Sequence, residues 1–375
     1  MKKDGERNRK IDFIKGVSII LMVLGHAHAP GSHLIALFNM PVFFMISGYL
    51  FSPSSIKSKN DLFKYYLRKV RTLWWTYFLW NTIFILLNNM FIKIYVYTDN
   101  IELENTYGIY NSLNHYMSLK EMVVAIAKGF FMLGSGTKMG GAFWFLTVLF
   151  GVSVAYVTIQ YLLGRSKFCK QHIWVVQGVI ALLLLAIGYG LQRKENMIYG
   201  ISPCFSAYIL FYIGNFIKDL HKKNDEKKLY LQRAVITVIA GGCLLCMNDM
   251  GSVSLGKNYY ESPVFLLFVS LAGWLMLYEV SFFLAETKFG KMIEVVGENS
   301  LTIMILHFLS FKLVSFVGIL FEHKPFYLMA AFPTLYNDGG WWIFYTFVGV
   351  GMPILIIKIL RSVRGRYVTR SREQK

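Results

Sequence analysis

The chain has 375 residues, of which 55% are hydrophobic and only 16% charged. This composition excludes an ordinary soluble globule and indicates a polytopic membrane protein whose first partner is the lipid bilayer. The net charge of +18 does not indicate a nucleic-acid partner, because the basic residues are dispersed into short loops between apolar runs.

Apolar windows of about twenty residues predict an all-α transmembrane helical bundle with about ten spans. The spans lie at roughly 12–30, 36–52, 71–92, 142–163, 173–191, 199–219, 230–247, 263–285, 299–320 and 341–361. A single integral-membrane domain therefore covers 1–375, with short basic tails at about 1–10 and 362–375 and a long loop at about 93–141. An amphipathic stretch in that loop, 119–134, either lies on the membrane surface or re-enters the bilayer.

The distribution of Lys and Arg predicts the orientation of the spans. With the N-terminus in the cytoplasm, 30 of the 39 basic residues fall on the cytoplasmic side. This bias follows the positive-inside rule, so both termini are expected in the cytoplasm and the number of spans is expected to be even.

The first span carries three ionisable residues, Asp12, Lys15 and His26, in an otherwise apolar run. Lys15 and His26 are eleven residues apart, so they lie on one helix face and about 16 Å apart along its axis. Charge inside a bilayer is costly and usually marks a cavity or a bundle interior. For Asp12 and Lys15 the alternative is the headgroup boundary, where charge costs little. His26 does not fit that alternative.

Two short segments follow that are weak signals when each is taken alone. The second span reads FNMPVFFMISGYLF and holds Asn39 and Ser47, which is also an ordinary pattern for close helix packing. Next, Lys64, Arg68 and Arg71 form one helical stripe at the cytoplasmic interface. Such a stripe is either an anchor for anionic lipid or a phosphate clamp.

Further along, Trp144 opens the fourth span and His307 lies near the middle of the ninth. Trp144 alone is typical of an interfacial aromatic belt. His307 is costly at that depth, and it either binds a ligand or forms a hydrogen bond across helices. Metal ligation is not expected, because His26 and His28 point to opposed faces and no H-x-x-x-H occurs.

Together these segments resemble the acyltransferase-3 superfamily of integral-membrane O-acyltransferases, in particular its branch similar to fucose 4-O-acetylase. The resemblance covers about 10–360. It rests on five segments in order: Ile11 to Gly16 followed by His26, Phe38 to Gly48, Arg68-Lys69-Val70-Arg71, Trp144-Phe145-Leu146, and Asn299 to His307. The chain departs from many members at Lys15, where they carry Arg, and at Asn39, where they carry His.

The resemblance implies transfer of an acyl group, usually acetyl from acetyl-CoA, to a hydroxyl of a sugar or lipid-linked glycan, in a bacterial-type cytoplasmic membrane. His26 is the expected general base, since imidazole has a suitable pKa. The resemblance also implies that Lys15, with a paired Asp12, belongs to the catalytic group. The donor phosphates are expected at Arg68, Arg71 and Lys64. The residues expected to bind the substrate are Trp144, His307, Asn39 and Ser47. No metal is expected, and homo-oligomerisation is left open.

Two other classes also account for the residues. A multi-span transporter or flippase of a glycan or anionic small molecule would have the same buried charges and Pro-broken helix, and internal pseudo-symmetry would favour it. A structural or sensor protein binding anionic lipid would leave His26 and the arginines far apart.

Overall fold

The computed structural model describes residues 8–108, 114–132, 134, 136–195, 198–224 and 229–373. This part of the chain is an all-α bundle whose strands are limited to one two-residue hairpin, which confirms the predicted fold class. The helices are α1 Arg9–His26, α2 Ser32–Leu50, α3 Lys59–Lys69, α4 Trp75–Lys93, α5 Ile101–Tyr107, α6 Leu119–Phe130, α7 Trp144–Leu163, α8 Lys167–Gln171, α9 Ile173–Arg193, α10 Ser202–Asn224, α11 Tyr230–Met247, α12 Pro263–Leu284, α13 Lys288–Glu298, α14 Ser300–Phe321 and α15 Trp341–Glu373. The hairpin pairs β1 Val253–Ser254 with β2 Tyr259–Tyr260.

Each of the ten predicted spans overlaps one of these helices along most of the span. By length and apolar composition, seven segments in the described ranges can cross a membrane, and they lie in α2, α7, α9, α11, α12, α14 and α15. The remaining three predicted spans correspond to α1, α4 and α10. The count of ten and the orientation of the termini stay predictions. The predicted tails are partly helical, since α1 starts at Arg9 and α15 continues to Glu373.

Helix α1 is held at the centre of the bundle by a close crossing with α13. A Cβ atom on Gly16 would meet the carbonyl oxygen of Ile293, and one on Gly297 would meet the carbonyl oxygen of Asp12. Small residues therefore let the two backbones touch, as at many membrane helix crossings. At the start of α1, Arg9 forms ion pairs with two carboxylates on the other side of this crossing, Glu286 and Glu294.

The helices separate into an inner group and a peripheral group. In α14, 72% of an apolar 18-residue stretch is buried inside the protein, whereas the buried share of the corresponding stretch is 17% in both α11 and α15. Helix α1 packs against α2, α12, α13, α14 and α15, and helix α2 packs against α1, α10 and α12. The inner helices α1, α2, α7 and α14 are therefore the ones that can enclose a site.

The predicted loop at about 93–141 is more structured than a connecting loop. Its helix α6 begins after Met117, whose backbone is hydrogen-bonded to the side chain of Asn89 near the end of α4. It ends at Phe130, whose ring packs edge-on against Trp74 at the start of α4. Helix α6 thus runs along most of the length of α4. This arrangement favours the re-entering alternative for the amphipathic stretch.

Candidate active site

His26 borders the larger of two cavities enclosed by the inner helices. It is the last residue of α1, and its side chain lines a cavity of about 540 Å³ that we call the His26 chamber. Asn39 of α2 and Trp144, the first residue of α7, line the same chamber. A cavity of this size is typical of small-molecule sites. The fold therefore brings together three of the residues that the sequence singled out.

The ring of His26 is packed on one side and available on the other. It stacks on the ring of His307 at 5.3 Å between centroids and meets Phe308 edge-on at 4.9 Å. Within the described ranges, no protein group forms a hydrogen bond with either ring nitrogen of His26. Ring contacts thus fix the imidazole, while its nitrogens can exchange a proton with a molecule in the chamber.

His307 lies behind His26 rather than in the chamber. Its side chain is fully buried, and Nδ1 lies 2.9 Å and 3.1 Å from the carbonyl oxygens of Met304 and Ile303. Since a carbonyl only accepts, Nδ1 carries the hydrogen and Nε2 presents a lone pair. In the described structure Nε2 is buried without a hydrogen-bond partner. His307 supports the His26 ring and lines neither of the two cavities. Its predicted part in binding the acceptor stays a prediction.

Asn39 presents an unpaired acceptor at the wall of the His26 chamber. Its side chain is 2% exposed, and within the described part of the chain Oδ1 has no hydrogen-bond partner. A buried acceptor without a partner costs about 1–3 kcal/mol. Such a group suits a ligand that brings a hydroxyl or an N–H donor.

The β1–β2 hairpin forms part of the wall of the His26 chamber, a role that the sequence did not indicate. Residues 253–257 line the chamber, and a Cβ atom on Gly256 would lie 2.8 Å from the indole of Trp144. The turn backbone therefore lies directly against the Trp144 ring. The only sequence signal was a Gly-Lys-Asn turn between two spans, and such a turn does not specify what it packs against.

A second cavity, of about 180 Å³, is lined by Lys15 and is called the Lys15 chamber below. Its other polar lining residues are Ser47, Thr72 and Ser300. The Lys15 ammonium lies 3.5 Å from the Asp12 carboxylate, as the sequence predicted for this pair. Lys15 lines this chamber and His26 lines the other, in keeping with their predicted separation along α1, and Asp12 lines neither of the two. Ser47 is likewise apart from Asn39 and Trp144.

The basic stripe Lys64, Arg68 and Arg71 is solvent-exposed and lines neither chamber. Between α3 and α4 the chain forms one π-helical turn, Val70–Trp74, which places Thr72 and Leu73 in the wall of the Lys15 chamber. π-Turns of this kind are frequent at functional sites. Among the described residues no carboxylate forms an ion pair with Arg68 or Arg71. The stripe therefore lies beside the Lys15 chamber with its charge available to an anion.

Electrostatics at the end of α3 also favour an anionic ligand. Burial and, to a smaller extent, the neighbouring Arg68 guanidinium together lower the pKa of the Lys69 ammonium to about 8. A phosphate bound beside these side chains would counter both effects, because an anion favours the charged ammonium.

The fold and site define a multi-helix membrane protein with a half-buried histidine at a chamber between its inner helices and a cationic surface near a second chamber. The profile of a family described as an acyltransferase domain matches residues 8–360. The chain belongs to this acyltransferase-3 family and is a membrane acyltransferase. Comparison with curated proteins and with solved structures gave no match. Family membership thus favours the acyltransferase interpretation of the ten spans over the transporter interpretation.

Proposed function

We propose that this acyltransferase moves an acetyl group from acetyl-CoA to a hydroxyl of a sugar or cell-surface glycan, with His26 as the general base. The observation that carries the proposal is the position of the His26 ring, fixed by His307 and facing a chamber large enough for a sugar unit. The proposed cellular location is the cytoplasmic membrane of a bacterial-type cell. The fucose 4-O-acetylase-like branch stays a prediction.

The position proposed for the donor is supported by the distribution of charge. Coenzyme A carries three phosphate groups, and the stripe Lys64, Arg68 and Arg71 supplies cations on the side of the bundle that borders the Lys15 chamber. Arginine suits phosphate because its guanidinium can donate two parallel hydrogen bonds. The pantetheine arm then extends through the Lys15 chamber, where hydroxyl groups of Ser47 and Ser300 can meet its amides.

The position proposed for the acceptor is supported by the shape and polarity of the His26 chamber. The His26 chamber offers the Trp144 indole as an apolar surface and the Asn39 carbonyl oxygen as an acceptor. A sugar ring has both an apolar face and hydroxyl donors, so it matches this pair of groups. The assignment of Trp144 and Asn39 to the acceptor and of Ser47 to the donor arm is part of the proposal.

The reaction needs a base because a sugar hydroxyl is a poor nucleophile at neutral pH. The hydroxyl oxygen attacks the thioester carbonyl carbon while a ring nitrogen of His26 takes the hydroxyl proton. The new C–O bond forms, the C–S bond breaks, and the leaving thiolate of coenzyme A receives the proton from the imidazolium. The products are an O-acetyl ester and free coenzyme A thiol, and His26 returns to its neutral form.

The test uses purified protein in lipid nanodiscs with acetyl-CoA labelled in the acetyl group and a panel of sugars and lipid-linked glycans. We expect label to appear in one acceptor as a base-labile ester, with one equivalent of coenzyme A thiol released per ester. Failure of every acceptor to take label, together with no acetyl-CoA binding, would contradict the proposal. Binding of acetyl-CoA with label recovered only as acetate would contradict the sugar acceptor alone.

A further inference from the structure

The two chambers are separated by a single layer of side chains. Met22, Met40, Phe145 and Met304 line both the His26 chamber and the Lys15 chamber. We call these four side chains the methionine constriction. Met22, Phe145 and Met304 are between 4% and 7% exposed, and Met40 is partly buried. In this structure the layer is closed.

The order of lining residues along the helices shows that the chambers lie end to end. On α1, Lys15 and Ile19 line one chamber, Leu21, Gly25 and His26 line the other, and Met22 lines both. Along α2 the residues that line the two chambers are divided in the same way, and Met40 lies at the boundary. On α2 the residues are Phe43, Ile46, Ser47 and Leu50 on the Lys15 side and Ser32, Ile35, Ala36 and Asn39 on the His26 side. A molecule passing from Lys15 to His26 must therefore cross the methionine constriction.

The composition of this layer makes it movable. Three of its four side chains are methionines, although the whole chain has only 17 methionines among 375 residues. Methionine is unbranched and has three rotatable bonds, so it can change rotamer to admit a ligand and then refill the gap. A wall built from valine or isoleucine would be stiff at the first side-chain torsion and could not open in this way.

We propose that the methionine constriction is a gate that admits the acyl end of the donor to His26 and selects acyl groups by their width. This inference rests on the proposed function, in which the donor phosphates bind near the Lys15 chamber. The pantetheine arm and a linear acyl group are narrow chains that can pass between flexible methionines. A benzoyl group is a rigid ring, so it must displace several side chains at once. Selection therefore acts on transfer, because the contacts that bind the phosphates lie elsewhere.

The first test uses the wild-type protein in nanodiscs with acetyl-CoA, butyryl-CoA and benzoyl-CoA. We expect all three to compete with labelled acetyl-CoA for binding with similar affinity. Release of coenzyme A thiol should be at least about tenfold slower from benzoyl-CoA, since pocket selection among apolar groups is commonly worth 10- to 200-fold. Butyryl-CoA should behave more like acetyl-CoA.

The second test widens the constriction with Met304→Ala, which keeps the backbone carbonyl that accepts from His307. The ratio of acetyl-CoA to benzoyl-CoA turnover should fall at least about tenfold. The matched control is Met45→Ala, since Met45 is also a buried methionine but, within the described chain, lines neither chamber. That control should leave the ratio unchanged.

The outcomes separate this inference from the proposed function. Equal turnover of acetyl-CoA and benzoyl-CoA by the wild type overturns the gate alone, and this arm needs no variant to fold. An unchanged ratio in folded Met304→Ala, or the same change in Met45→Ala, also overturns it. Failure of the wild type to bind or use acetyl-CoA overturns the proposed function, and the gate with it.

Discussion

Two regions of the molecule place ionisable side chains inside apolar helices, and they differ in how those side chains are paired. Between α11 and α12, Arg233 and Glu279 form an ion pair of 2.6 Å with both side chains almost fully buried. The Arg233 guanidinium also lies over the ring of Phe282 at 3.3 Å. Around the His26 chamber, by contrast, the buried Oδ1 of Asn39 has no hydrogen-bond partner within the described part of the chain. The His26 ring is held there by its contacts with the rings of His307 and Phe308.

This difference distinguishes polar groups that stabilise the fold from polar groups that can bind a ligand. A buried charge or polar group is costly unless it is paired, so a paired couple that lines neither the His26 chamber nor the Lys15 chamber is explained by packing alone. Unpaired groups at a cavity wall are explained by a ligand that completes them. Intramembrane charge is therefore a weak indicator by itself. We expect changes at α11–α12 to affect folding and changes at the His26 chamber to affect activity.

The largest expected effect is on turnover and comes from His26→Gln. Loss of a positioned base should lower the rate of acyl transfer by roughly 10²–10⁴-fold, while acetyl-CoA binding is retained. The rise of activity with pH that accompanies deprotonation of the ring should disappear. The control is His172→Gln, at an exposed histidine between α8 and α9. Transfer by His26→Gln at nearly the wild-type rate would remove His26 from the chemistry.

The next effect is on folding and comes from Arg233→Met. This change removes the guanidinium that pairs with the buried Glu279 carboxylate, so the free energy of unfolding should fall by about 3–5 kcal/mol. It can be measured by denaturant unfolding in detergent. The double change Arg233→Met with Glu279→Leu should recover most of that loss, because replacing both partners is often neutral. Loss of activity per folded molecule in the double variant would show that this pair also serves the site.

An intermediate effect on donor affinity is expected from Arg68→Ala and Arg71→Ala. Losing a charge-assisted hydrogen bond to phosphate should weaken acetyl-CoA binding by roughly 10- to 150-fold. Arg165→Ala is the matched control, since Arg165 is another exposed arginine between two helices and lies away from the Lys15 chamber. Unchanged affinity in both test variants, measured by binding of labelled acetyl-CoA, would assign the stripe to lipid anchoring instead.

The smallest effect is expected from Asn39→Leu. Removing an unpaired buried acceptor should leave the free energy of unfolding unchanged or slightly raised. If the acceptor hydroxyl donates to Asn39, KM for the acceptor should rise by about 2- to 12-fold, the usual worth of one neutral hydrogen bond. A variant with clearly lower stability and normal KM would place Asn39 with the structural polar groups, and would remove it from the site.

The sequence alone determined the properties that depend on local pattern. Long apolar windows predicted an all-α bundle, and helical periodicity placed Lys15 and His26 on one face of α1, where each now lines a cavity. The ordered motifs from Asp12 to His307 predicted the acyltransferase-3 family, which the match over 8–360 confirms. These signals are readable because each depends on residues close together in the chain or on the order of short segments.

Only the tertiary structure decided which of these segments meet and what separates them. It stacked His307 on His26, laid the β1–β2 hairpin against Trp144, and gave Lys15 and His26 separate cavities. It also collected Met22, Met40, Phe145 and Met304 from four helices into one layer. Periodicity shows which face of a helix is apolar, but it does not show which other helix covers that face. The physical reason is that apolar packing is non-directional, so the shapes of all the helices together determine these contacts.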